Sequence, residues 1–142
     1  MKTRAAFLTA VGLLTMGASS AHEYATGQVW TYHTRPGEQS SRLQINKVEQ
    51  DPKLGTIFHI SVFGIRVLNP RTQSVFTNEL PHLPVSKETL DKSVVSLSSD
   101  PARPVDYESG YAAWKQAHGG VYTISVAEIV ASAELTLAKT GH

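Results

Sequence analysis

The chain has 142 residues, with 13 lysines and arginines, 12 aspartates and glutamates, six histidines and no cysteine. Without cysteine, disulfide bonds, thiolate zinc sites and cysteine nucleophiles are excluded. The basic residues form no cluster that would bind phosphates, so we expect no nucleic acid partner. A domain of this size buries enough apolar surface to fold without disulfides.

The first 21 residues have the pattern of a secretory signal peptide. Lys2 and Arg4 precede an uncharged apolar run over 5–16, and five small residues follow at 17–21. The run is too short for a permanent spanning helix, and no later segment has the ~20 apolar residues that one needs. We therefore expect cleavage after Ala21, a single domain over 22–142, a periplasmic or secreted location and no membrane span.

The next part of the chain predicts strands. Its segments are rich in β-branched and aromatic residues or alternate between apolar and polar residues, and turn-forming residues such as Pro36, Gly37 and Gly55 separate them. These segments are 28–35, 42–46, 56–63, and a hairpin formed by 65–68 and 73–76.

Three helices are predicted in the last part. Ser86 is a suitable N-cap for the first, which carries Leu90, Val94 and Leu97 at helical spacing. The second starts at Asp106 and ends at the glycine pair 119–120. Ser125 begins the third as a capping box that Glu128 completes. Its expected buried residues are Ile129, Val130, Ala133 and Leu137.

Strands followed by helices predict an α+β fold, with an antiparallel sheet from the N-terminal half and about three helices from the C-terminal half packed on one face. Alternation along the strands then gives the sheet two different faces. The face toward the helices carries Trp30, Tyr32, Leu43, Ile45, Phe58, Ile60 and Val62. We expect the second face to be polar and open, and it carries Thr31, His33, Arg35, Arg42, Gln44, His59 and Ser61.

A copper site is one hypothesis for the histidines. Cleavage after Ala21 gives His22 a free amine, which chelates Cu(II) together with the imidazole of the same residue. This arrangement resembles the histidine brace of exported copper proteins and copper-dependent polysaccharide oxygenases. His33 and His59, on one predicted face, are the further ligands in this alternative. Those families are β-sandwiches, whereas this sequence predicts fewer strands and more helix. We therefore expect no cofactor, and we keep a periplasmic protein that binds copper or another metal as the alternative.

A protein-binding surface is the preferred hypothesis. Arg35, Arg42 and His59 lie on the second face, and His82 is held extended between two prolines just before a helix. Interfaces are enriched in arginine and depleted in lysine and glutamate. The sequence contains no Gly-x-Ser-x-Gly, phosphate-loop or His-Glu-x-x-His motif, so it gives no positive sign of an enzyme.

Three short motifs resemble those of a group of small exported bacterial proteins to which no reaction is assigned. They are Gly27-x-x-Trp30-x-Tyr32-x-x-Arg35-Pro36-Gly37-Glu38, then His59-Ile60-Ser61, and finally Gly110-Tyr111-x-x-Trp114. The resemblance implies no catalytic residues. We interpret the chain as an exported, non-catalytic binding protein, in the manner of inhibitors and immunity proteins, with a protein or peptide partner.

The processing hypothesis has a direct test. Mass spectrometry of the protein recovered from the periplasm or medium is expected to show a chain that starts at His22. A start at Met1 would contradict both the exported location and the copper alternative, since each requires cleavage after Ala21.

Overall fold

A computed structural model of the chain describes residues 22–140. The predicted signal peptide and the last two residues lie outside this range, so cleavage after Ala21 stays a prediction. No helix within 22–140 is long and apolar enough to cross a membrane.

Within the described residues, five strands form one antiparallel sheet, and three helices accompany it. In chain order the elements are β1 (Val29–Tyr32), β2 (Arg42–Asp51), β3 (Gly55–Leu68), β4 (Val75–Ser86), α1 (Lys87–Ser93), β5 (Val94–Leu97), α2 (Glu108–Gln116) and α3 (Val126–Thr140). The strand order is β4-β3-β2-β1-β5, and every neighbouring pair is antiparallel. The predicted α+β fold, with the sheet before the helices, is confirmed.

The hydrophobic core lies where the alternation of apolar residues predicts it. All seven residues assigned to the helix-facing side of the sheet are buried in one cluster, which Leu90 of α1 and Val126, Ile129 and Val130 of α3 complete. The Ser125 capping box is also present: Glu128 Oε2 accepts from the Ser125 N–H at 2.9 Å, and Ser125 Oγ accepts from the Glu128 N–H at 3.2 Å. Ala133 and Leu137, also predicted to be buried, are only half-buried.

The first predicted helix is shorter than expected. Ser86 caps α1 by accepting from the Thr89 N–H, as predicted, but the helix ends at Ser93. Residues 94–97 form β5, which pairs with β1 instead of continuing the helix. The two adjacent valines at its start favour a strand, and β1 offers an unpaired edge there.

The prolines around His82 do not interrupt the sheet. The segment 80–84, predicted to be extended, is part of β4, which also includes residues 75–76 of the second strand predicted for the hairpin over 73–76. β4 is an edge strand, where a proline that donates no hydrogen bond is tolerated. His82 is thereby fixed on a strand next to β3.

The second face of the sheet is covered at its centre, which differs from the expected open surface. Gln44, His59 and Ser61 are all buried. Gln44 exchanges two hydrogen bonds with the backbone of Arg103, at 2.8 and 2.9 Å, so the linker before α2 crosses this face. α2 follows and packs on His59 through Tyr111 and Trp114. Thus α1 and α3 contact the hydrophobic core, whereas α2 lies on the opposite side of the sheet.

Gly110 allows α2 to approach β4 closely. A Cβ at this position would lie 2.7 Å from the Cβ of His82 and 3.3 Å from its Nδ1. Such contacts force one of the two elements to move. The absence of a side chain at residue 110 is therefore a packing requirement, although glycine costs ~1 kcal/mol relative to alanine inside a helix.

Replacement of Gly110 tests this packing. We expect Gly110→Ala to lower the free energy of unfolding by about 1–2 kcal/mol, because overpacking outweighs the gain in helix propensity. Urea unfolding provides the measurement. Gln116→Ala, at an exposed position of the same helix, is the matched control and is expected to change stability by less than about 0.5 kcal/mol. A stabilised Gly110→Ala protein would show that α2 is not held against β4.

Candidate functional site

Two of the histidines form the centre of the site. His59 lies on β3 and His82 on β4, and His59 Nδ1 is 2.9 Å from His82 Nε2. The other ring nitrogen of His59, Nε2, is 2.7 Å from Glu49 Oε1 on β2. Three adjacent strands thus supply a hydrogen-bonded chain, Glu49–His59–His82, on the second face of the sheet.

The direction of this chain follows from its first member. An ionised carboxylate only accepts hydrogen bonds, so His59 Nε2 must carry the proton that Glu49 receives. His59 Nδ1 is then an acceptor, and His82 Nε2–H donates to it. The remaining nitrogen, His82 Nδ1, keeps a lone pair. Among residues 22–140 it has no hydrogen-bond partner, and it is not fully enclosed.

α2 places two aromatic rings over the chain. The ring centroids of Tyr111 and Trp114 lie 4.8 and 4.9 Å from that of His59 in edge contacts, and the Tyr111 hydroxyl donates to Glu49 Oε2 at 3.2 Å. His59 is fully buried as a result.

Burial sets the charge states in this cluster. It lowers the pKa of His59, and the opposing effect of the Glu49 carboxylate does not restore the ordinary value. Burial, with His59 nearby, lowers the pKa of His82 to about 4. Burial raises the pKa of Glu49, but the hydrogen bonds from His59 and Tyr111 outweigh it and hold that pKa below the usual value. At neutral pH the chain therefore consists of one carboxylate and two neutral imidazoles.

A groove of about 370 Å³ opens beside His82. Trp114 and Tyr122 give it two aromatic walls, and no charged side chain lines it. Trp114 is fixed by a hydrogen bond from its Nε1–H to Gly120 O at 2.8 Å, and the backbone of Tyr122 is attached to β4 by hydrogen bonds to Pro84 and Ser86. The full lining is His82, Leu83, Pro84, Trp114, Gly120, Val121 and Tyr122.

A second concavity also borders Trp114 and differs in character. Its volume is about 480 Å³, and its lining includes Glu49, Asp51, Lys53 and Lys115. Glu49 therefore borders a charged concavity, whereas His82 borders the uncharged groove.

The two predicted arginines have different environments. The Arg35 guanidinium is hydrogen-bonded within the chain. Its Nε and Nη2 donate to the two carboxylate oxygens of Glu38 at 2.7 and 3.0 Å, and Nη2 also donates to Arg66 O. Arg42 lines a cleft of about 500 Å³ together with Arg103. Its Nε lies 3.5 Å from Asp100 Oδ2 and makes no hydrogen bond within residues 22–140.

Of the four residues predicted to bind a partner, three border concave surfaces: Arg42, His82 and Arg35. The pocket at Arg35 has a volume of about 350 Å³, and the guanidinium is engaged there by Glu38. His59 is buried, so its role is to position His82. Arg35 fastens the turn after β1 to β3. Glu49, Tyr111 and Trp114 belong to the site as well, although sequence reasoning assigned none of them to it.

The structure does not bring the copper-hypothesis histidines together. The His22 ring contacts Trp30, with 5.0 Å between centroids, and Trp30 belongs to the core side of the sheet. His33 is exposed, and His59 is enclosed under α2 on the other side. Within 22–140, no three histidine, aspartate or glutamate side chains converge as a metal-binding group. Copper binding by His22 stays the alternative hypothesis.

Comparison of the chain with protein-family models, curated proteins and solved structures gives no match. The resemblance to small exported bacterial proteins therefore stays a prediction.

The histidine pair is expected to make stability depend on pH. Both pKa values are lower in the folded protein than in the unfolded chain, so the unfolded chain binds more protons below its own pKa of about 6.5. Stability is then full above pH 6.5 and falls toward pH 4. Urea unfolding should show about 1–2 kcal/mol less stability at pH 5 than at pH 7.

His82→Phe should weaken this dependence, whereas His33→Gln, at an exposed histidine, should leave it unchanged. The window between pH 5 and 6.5 separates the histidines from Glu38 and Glu49, whose lowered pKa values act below 4.5. An unaltered pH profile in His82→Phe would contradict the assignment to the buried pair.

Proposed function

We propose that this protein is a small exported, non-catalytic binding protein that holds a protein or peptide partner on the α2 side of its sheet. The observation that carries the proposal is the uncharged groove whose lining includes Trp114, Tyr122 and His82. Its volume of about 370 Å³ falls in the range of natural binding pockets. Aromatic residues and arginine are the types enriched where proteins bind one another.

The packing of α2 supports this proposal. None of its residues is fully buried, so it adds little to the hydrophobic core that α1 and α3 complete. It does hold Trp114 beside the groove and Tyr111 over Glu49. A helix with this arrangement contributes more to the shape of the surface than to the stability of the core.

The cleft at Arg42 extends the proposed surface. Arg42 and the nearby Arg103 lie on the same side of the sheet as α2, and the Arg103 guanidinium stacks on Phe63 at 3.5 Å from the ring centroid. Stacked, partly ordered guanidinium groups lose little entropy on binding. Glu79 and Asp100 also line this cleft, so it suits a polar peptide segment of mixed charge.

Affinity capture with the mature chain tests the proposal. A partner recovered from periplasmic or secreted fractions is identified by mass spectrometry and purified, and its Kd is measured by calorimetry. We expect Tyr122→Ala combined with Arg42→Ala to weaken that Kd about 10-fold or more, as the loss of interface anchors does. Both side chains are accessible, so the fold should be retained.

The matched control combines Leu135→Ala with Arg71→Ala, two exposed positions away from the groove and the cleft. The control should bind as the unmodified chain does. A partner that tolerates the Tyr122 and Arg42 changes but is lost in the control would place the contact surface elsewhere. If no partner is recovered from any fraction, the binding proposal is rejected.

A further inference from the structure

We infer that the groove beside His82 recognises a neutral planar ring that carries one N–H or O–H donor, namely a tryptophan or tyrosine side chain of the partner, with His82 Nδ1 as the acceptor. This inference rests on the proposed function for the source of the ring. The recognition itself rests on the hydrogen-bonded chain and on the walls of the groove.

Glu49 on β2 determines that His82 Nδ1, on β4, is a hydrogen-bond acceptor. If Nδ1 carried the proton, Nε2 would have to accept from His59 Nδ1–H. His59 Nε2 would then face the Glu49 carboxylate without a proton, and two acceptors would lie 2.7 Å apart. That arrangement is repulsive, so both neutral imidazoles must carry their protons on Nε2. His82 therefore presents a lone pair that does not reorient to suit a ligand.

The groove disfavours charged ligands. None of its lining residues is an acid or a cation at neutral pH. A carboxylate would meet the lone pair of His82 without a donor. An ammonium group would lose much of its hydration for a single acceptor, which is unfavourable in a partly apolar site. A neutral donor pays a smaller desolvation cost and satisfies the acceptor.

The walls favour a flat ring over a flexible chain. Trp114 and Tyr122 offer aromatic surfaces, which pair with further rings in edge or offset contacts. Leu83, Pro84 and Val121 supply the aliphatic remainder. A phenylalanine ring would fit these walls but would leave His82 Nδ1 without a partner. Tryptophan and tyrosine supply both the ring and the donor.

Three probes separate ring contact from hydrogen bonding: N-acetyl-tryptophanamide, N-acetyl-tyrosinamide and N-acetyl-phenylalaninamide. Long-range ¹H–¹⁵N spectra of the imidazoles follow each titration at pH 7. In the free protein both histidines should show the Nε2–H form. The first two probes should move the His82 Nδ1 resonance, whereas the phenylalanine probe should not. They should also bind about 5- to 10-fold more tightly, which is the contribution of one hydrogen bond.

Equal affinity of the three probes, or a protonated His82 Nδ1 in the free protein, would overturn the inference. His82→Phe removes the acceptor and should abolish the preference for the donor-bearing probes. Tyr122→Ala removes a wall and should weaken all three probes alike. His118→Asn changes a histidine that lines the charged concavity instead of the groove, and it should leave the preference intact. Asparagine suits the positive φ of 51° at that residue.

The outcome is distinguishable from that of the capture experiment. If combining Tyr122→Ala with Arg42→Ala weakens partner binding but the three probes bind equally, the binding function stands and the ring recognition is wrong. If the probes are discriminated but no partner is recovered, the groove has the stated chemistry and the protein-partner proposal fails.

Discussion

The organisation of the second sheet face depends on the burial of one imidazole. His59 is the fifth residue of the longest strand, β3, and its neighbours Phe58 and Ile60 are apolar and buried. A buried polar group without hydrogen bonds costs several kcal/mol, so both ring nitrogens of His59 need partners. Glu49 supplies an acceptor and His82 a donor. These two contacts determine which side chains β2 and β4 must present at this level of the sheet.

The same requirement explains why α2 is placed where it is. A carboxylate beside two imidazoles forms a strong hydrogen-bonded chain only when water is kept from it, because a low local dielectric strengthens the interactions. Tyr111 and Trp114 keep water from His59, and the Tyr111 hydroxyl also donates a hydrogen bond to Glu49. Gly110 allows the helix to come close enough to do so. The position of α2 thus follows from the need to cover the Glu49–His59–His82 chain.

Much of the fold could be predicted from local patterns, and the exceptions have physical causes. The period-two alternation of Leu43, Ile45, Phe58 and Ile60 correctly gave the core side, because those residues face one layer of helices. The expectation that the opposite face is open was wrong, because alternation shows only that a face is polar. It does not show that a later segment satisfies that polarity, as the backbone of Arg103 does for Gln44.

Glu49 escaped prediction for a more specific reason. Strict alternation from Gln44 would put it on the core side. The register of β2 against β3 shifts between Ile45 and Lys47, so that Lys47 pairs with His59 and Glu49 with Ile57. A β-bulge of this kind turns the following side chains to the other face. Glu49 thereby becomes a diagonal neighbour of His59, within reach of its ring. The irregularity that hides the residue from pattern analysis is also what creates the Glu49–His59–His82 chain.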